Sequence, residues 1–291
     1  MSESKFSLID LSALSEPACK LIETVSQCIG TLYEPTRIRR KAKAEADAAL
    51  ILAEADAERQ ALLKRAAHRL AIQEVRRQKN IESIIDKAVK SLPETVSNEP
   101  VDPDWVSRFF DECKDVSNEE LQKIWGRLLS GEVATPGTCS RKTLAILKDL
   151  TPNDANIFNN LCNLTWSERN NLFLPYKGGI KIGNQFGEYG IIYNDLLHLD
   201  NLGLIHCDNS IVIELKNGDM LEYYGLKHIC NPVPHNLMLI IAALPLTTPG
   251  IELHSIINAK PDSSYYLDTI NMLIWYYNVY LSCPLVDAFN D

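Results

Sequence analysis

The sequence predicts a mainly α chain with three parts: a long N-terminal helix, a central helical bundle and a C-terminal α+β domain of winged-helix character. Three observations lead there. From Arg37 to Leu92 there is neither Gly nor Pro. Between Asp104 and Leu164 apolar residues recur at helical spacing. Only beyond Pro175 do clustered glycines and hairpin signals appear.

The chain has 291 residues, 46% apolar and 23% charged, ordinary globular material with length for two or three domains. No stretch approaches the roughly 18–20 uninterrupted apolar residues of a membrane helix. The longest run, near Leu237–Leu246, is broken by Pro245 and reads as a buried strand. Met1–Asp10 has no basic segment followed by an apolar core, so a secretory signal is not expected. A cytoplasmic location is the expectation, with peripheral attachment to the inner membrane as its variant.

Residues 1–36 form amphipathic N-terminal helices in this reading. Leu21, Ile22, Val25, Cys28 and Ile29 make one stripe, Gly30 caps it and Pro35 stops it. Residues 37–92 form a long basic, Ala-rich helix, on the order of 80 Å at 1.5 Å per residue. Arg37, Arg39, Arg40, Lys41 and Lys43 crowd its first turns, where cations oppose the helix dipole. An anionic or protein contact is therefore expected there. Further along, Leu63, Leu70, Ile81, Ile84, Ile85 and Leu92 trace a seam that asks for a partner helix. A second copy is the preferred source, so a homo-oligomer is expected.

Residues 93–103, with three prolines, read as a linker. The bundle follows over 104–164. Its helices carry Trp105, Phe109 and Phe110, then Leu121, Ile124, Trp125 and Leu128 after a Ser117-x-x-Glu120 capping pattern. Two more follow over Ser140–Leu150 and Asn153–Leu164. Trp125 sits on an apolar face and reads as core.

The remainder, 165–291, changes character. Five glycines lie between Gly178 and Gly190, without the spacing of a phosphate-binding loop. A helix over Tyr193–Leu202 is followed by strands Ile211–Leu215 and Met220–Tyr224 around the hairpin signal Asn217-Gly218. A strand over Leu237–Leu244, a helix Ile251–Ile257 and a final helix Ser264–Tyr280 complete a winged-helix-like arrangement. DNA binding by this domain is not expected. Tyr193–Leu202 carries no Lys or Arg, and residues 91–291 hold 25 acidic against 13 basic side chains. Residues 37–90 are the opposite, with 14 basic and 8 acidic. That asymmetry suits docking of a basic rod on an acidic body, or binding of nucleic acid or an anionic membrane.

Chemistry is harder to find. No GxSxG, HExxH, P-loop or CxxC occurs, so no catalytic residue, cofactor or metal is assigned. The grouping His206, Cys207, His228, Cys230 and His235 is a weak metal signal, since adjacent strand residues point to opposite faces. His68, His198 beside Asp195 and Asp200, and His254 are isolated candidates, of which Asp195 and His198 share a helix face and could form an acid–base pair. These features weigh against an enzyme without deciding the matter.

Four segments carry a family resemblance: Glu16–Ala49, Arg76–Ile85, Glu119–Leu150 and Leu246–Leu253 ("LTTPGIEL"). Together they resemble a family of uncharacterised bacterial proteins known only as a domain of unknown function. The segment Glu119–Glu132 is also similar to an element of bacterial abortive-infection proteins of the alpha type. The first resemblance implies no catalytic residues. The second implies a setting in antiviral defence, as sensor or effector.

Overall fold

A computed structural model describes residues 15–29, 57–178, 182, 185–208, 210–232 and 239–282. They fall into two compact units, divided between Lys148 and Asp149.

The N-terminal unit is helical. Helix α1 spans Glu16–Ile29, with Pro17 inside its first turn, where a missing N–H costs nothing. Helix α2 runs unbroken from Ala57 to Ser91. After it come α3 (Pro103–Cys113), α4 (Glu119–Ala134) and α5 (Arg141–Asp149). The cap of α4 is Asn118, whose side chain accepts from Leu121 N, so the capping pattern begins one residue later than Ser117. Leu21 and Val25 of α1 are buried with Trp105, Phe109, Phe110 and Trp125. Phe109 stacks on Trp105 at 5.3 Å and meets the edge of Trp125 at 5.2 Å. Trp125 is core, as its position on the apolar face suggests.

The segment between α2 and α3 is strapped to this unit. Ser97 N donates to Ala134 O, and the Lys20 ammonium reaches the carbonyls of Ser97 and Glu99. Buried Glu132 organises the next turn by accepting from Gly137 N at 2.7 Å and Cys139 N at 2.9 Å.

Helices α2 and α4 approach most closely at Gly126. A Cβ there would lie 2.8 Å from Lys87 Cβ and 3.0 Å from Ala88 N. Polar bonds flank the crossing: Ser83 Oγ donates to Gln122 Oε1 at 2.8 Å, and Asn80 Nδ2 to Lys114 O at 3.0 Å.

The C-terminal unit overturns the mainly α expectation. The fold is α+β: among the described residues it holds seven strands in one antiparallel sheet of order β3-β6-β2-β1-β4-β5-β7. Helix α6 (Pro152–Cys162) leads into β1 (Trp166–Glu168) and β2 (Asn171–Pro175). Helix α7 (Tyr193–Asn201) precedes β3 (Val212–Leu215), β4 (Met220–Tyr223), β5 (Leu226–Pro232) and β6 (Leu239–Pro245). Helices α8 (Thr248–His254) and α9 (Ser263–Trp275) and strand β7 (Val279–Ser282) close the unit.

Among the described residues the expected wing does not form, because its strands pair elsewhere. Strand β3 lies on β6, and β4 lies between β1 and β5. The turn at Gly218 joins strands four places apart in the sheet. In a flat sheet that is about 19 Å at ~4.8 Å per strand. The five steps from Leu215 to Met220 reach at most roughly 18 Å, short of that span, so the sheet curls. The true hairpin is β4–β5, whose two-residue loop, Tyr224-Gly225, has φ of 46° and 87°. Both positive angles suit a type I′ turn.

The "LTTPGIEL" segment has a plain physical reason. Thr247 Oγ1 accepts from Gly250 N and donates to Gly203 O at 2.6 Å, capping α8. Gly250 packs directly on the Leu204 carbonyl, leaving no space for a side chain.

Gly126→Val tests the α2–α4 crossing. Valine overpacks the contact, and urea unfolding should show about 1–3 kcal/mol of lost stability, the usual cost of overpacking. An unchanged midpoint would mean the helices do not pass this closely.

Candidate interaction surface on α2

Leu63, Ala66, Leu70, Gln73, Arg77, Asn80 and Ile84 follow one another at alternating spacings of three and four, which places them on one face of α2. The two ends of that face have different fates. Ile84, Ile85 and Ala88 are fully buried and Asn80 is buried. Leu62, Leu63 and Leu70 are exposed, Leu62 at 59% and Leu70 at 53%. Ala66 is exposed with them.

An ionic clamp marks the boundary. Asp115 accepts from Arg77 Nη2 and Arg76 Nη2, each at 2.9 Å, and from Arg77 Nε at 3.1 Å. The Arg77 bonds, and then those of Arg76, hold the Asp115 carboxyl below the usual range despite some burial. Below the clamp α2 is packed. Above it, four cations (Arg59, Lys64, Arg65 and Arg69) lie among bare leucines.

Of the six seam residues, Ile84 and Ile85 therefore belong to the chain's own core and leave the surface. Ile81 and Leu92 are half-buried, and Leu63 and Leu70 remain available. Exposed Leu62, Ile72 and Val75 were not singled out by the sequence reading, although Leu62 adjoins the stripe. Arg37, Arg39, Arg40, Lys41 and Lys43 lie outside the described residues.

The acid–base candidate is not assembled. Asp195 accepts from Ile192 N at 3.0 Å, closing its own helix, while His198 Nε2 bonds Asp154 Oδ1 at 2.8 Å. Burial opposes ionisation of Asp154, but bonds from Thr151 and His198 outweigh it and hold its carboxyl low. His254 Nε2 meets Thr165 Oγ1 at 2.8 Å, and buried His228 meets the Tyr266 hydroxyl at 3.1 Å. His228 and Cys230 face inward on β5, His206 is exposed and His235 lies outside the described residues. Among the described residues no group of three or more His, Cys, Asp or Glu is placed to hold a metal ion. No described helix is long and apolar enough to cross a membrane.

A family model for a protein of unknown function, DUF2806, matches residues 64–270. The chain belongs to the DUF2806 family. No curated protein and no solved structure matches it. The DUF2806 match begins within the bare half of α2, just after Leu63, and runs through most of α9.

Burial lowers the pKa of His228, and burial does the same for His254 against a weaker opposing bond from the Cys162 backbone. Unfolding frees both to bind protons near the ordinary histidine value of about 6.5. Their contribution to stability is complete above that value and erodes as pH falls toward the lower native values. Unfolding midpoints should drop between about pH 7.5 and 5.5, and drop less in His228→Gln. A midpoint flat across that window would contradict neutral burial.

Proposed function

We propose that this DUF2806 protein is a non-enzymatic, self-assembling interaction protein whose assembly element is the bare upper face of α2. One observation carries the reading: Leu63, Ala66 and Leu70 continue the face that α2 already uses, below Arg77, to pack against its own chain. Fully burying an exposed leucine is worth roughly 1.5–3 kcal/mol, and Leu63 and Leu70, exposed by 37% and 53%, can each gain a part of it.

A second reading is binding of nucleic acid or an anionic membrane through the same basic helix. The four cations from Arg59 to Arg69 favour it. Sedimentation with duplex or anionic vesicles tests it, and retention of the protein in the supernatant would remove it. The proposed setting, bacterial antiviral defence, rests on the resemblance of Glu119–Glu132 alone. Phage challenge of cells with and without the intact gene tests that setting.

Light scattering on the parent should give a mass above the 32.7 kDa of one chain. The double substitution Leu63→Asp, Leu70→Asp should return it to one chain, with the thermal unfolding curve kept because both leucines are exposed. A parent of single-chain mass at micromolar concentration would overturn the proposal.

A further inference from the structure

The bare half of α2 is apolar and basic, with four Lys or Arg against two carboxylates from Ala57 to Val75 in the sequence. Two such helices laid face to face bring like charges together, and that repulsion opposes a symmetric α2–α2 pair. The surface needs apolar contact edged by negative charge.

The C-terminal unit carries one. Helix α7 buries Leu196 and Leu199 and leaves Tyr193 and Leu197 exposed, together with its cap residue Ile192 at 56%. From Ile182 to Leu215 the sequence has five carboxylates and no Lys or Arg. Asp195 and Asp200 lie on α7 itself. Both are tied to backbone N–H groups, of Ile192 and Cys207, and are thus fixed in place. Across 149–291 there are fifteen acidic and six basic residues.

We infer that the α2 face of one copy docks on the α7 face of a second copy, with Leu63 and Leu70 against Ile192, Tyr193 and Leu197 and the α2 cations toward the carboxylates around α7. The inference rests on the self-association reading and adds to it the identity of the receiving surface. The contact is heterologous: each chain offers one donor helix and one receiving helix. Two chains satisfy both by exchanging helices, or a larger ring does so.

Heterology makes the inference testable with whole chains. Tyr193→Lys with Leu197→Lys places cations where basic α2 should dock, and Leu63→Asp with Leu70→Asp spoils the docking helix. All four side chains are exposed, and a thermal melt of each variant checks that the fold is kept. Each variant alone should have single-chain mass. An equimolar mixture should recover about twice that mass, because one intact α2 and one intact α7 remain. Raising salt from about 0.05 M to about 0.5 M should weaken assembly of the parent, since screening acts on an attraction. An α7 variant that assembles like the parent, a mixture that stays at single-chain mass, or assembly strengthened by salt would overturn the inference while leaving self-association standing. A parent of single-chain mass would instead remove the self-association reading itself, and this inference with it.

Discussion

Because Gly126 carries no side chain, α4 comes close enough to α2 to touch the backbone at Lys87–Ala88. That crossing sets the register of the whole N-terminal unit. It aligns Ser83 with Gln122 and Asn80 with the Lys114 carbonyl, and it brings Arg76 and Arg77 to Asp115. It also decides where coverage ends. The packed helices finish near the clamp, so the rest of α2 extends beyond them with its leucines uncovered. A helix that long and that exposed gains little from propensity alone, since isolated helices are marginal in water. Its seam is what gives it a reason to persist.

Local signals read well in this chain. The absence of Gly and Pro announced α2, and apolar spacing with the Ser117-x-x-Glu120 pattern placed the starts of α3, α4 and α6 within a residue or two. The stripe was legible as well, but only as a single seam. Nothing in the spacing of Leu63, Leu70, Ile84 and Ile85 distinguishes the residues that α4 covers from those it leaves bare. That difference is tertiary. The sheet was harder still. Strand β1 has three residues, and the apolar run Leu172–Leu174 in β2 gives no clean alternation. Strand β7 follows α9 after a short turn, inside one apolar stretch that reads as continuous helix. Asn217-Gly218 carried the stronger hairpin signal, yet the hairpin turns at Tyr224-Gly225. Tyr224 accepts a positive φ there while its hydroxyl donates to Cys162 O at 2.5 Å. His198 likewise found its carboxylate 44 residues away, beyond any local spacing rule.

The charge asymmetry was plain from the start, and the structure gives it surfaces. The basic excess is carried along a helix with apolar residues between the cations. On α7 the carboxylates are pinned by backbone N–H groups beside exposed Tyr193 and Leu197. Apolar contact supplies most of the energy in such an arrangement, and charge selects which face meets which. The buried aromatic centre of the C-terminal unit keeps α9 on the sheet: Trp166 meets Tyr223 at 5.1 Å and stacks on Tyr266 at 5.9 Å.

In the proposed assembly the upper half of α2 is covered by another copy, while the lower half is covered by its own chain. Amide hydrogen exchange along α2, followed at low and high protein concentration, tests this most directly. Protection over residues 80–91 should be the same at both concentrations, and protection over 59–75 should rise at the higher one. Protection of 59–75 that is independent of concentration would contradict the account.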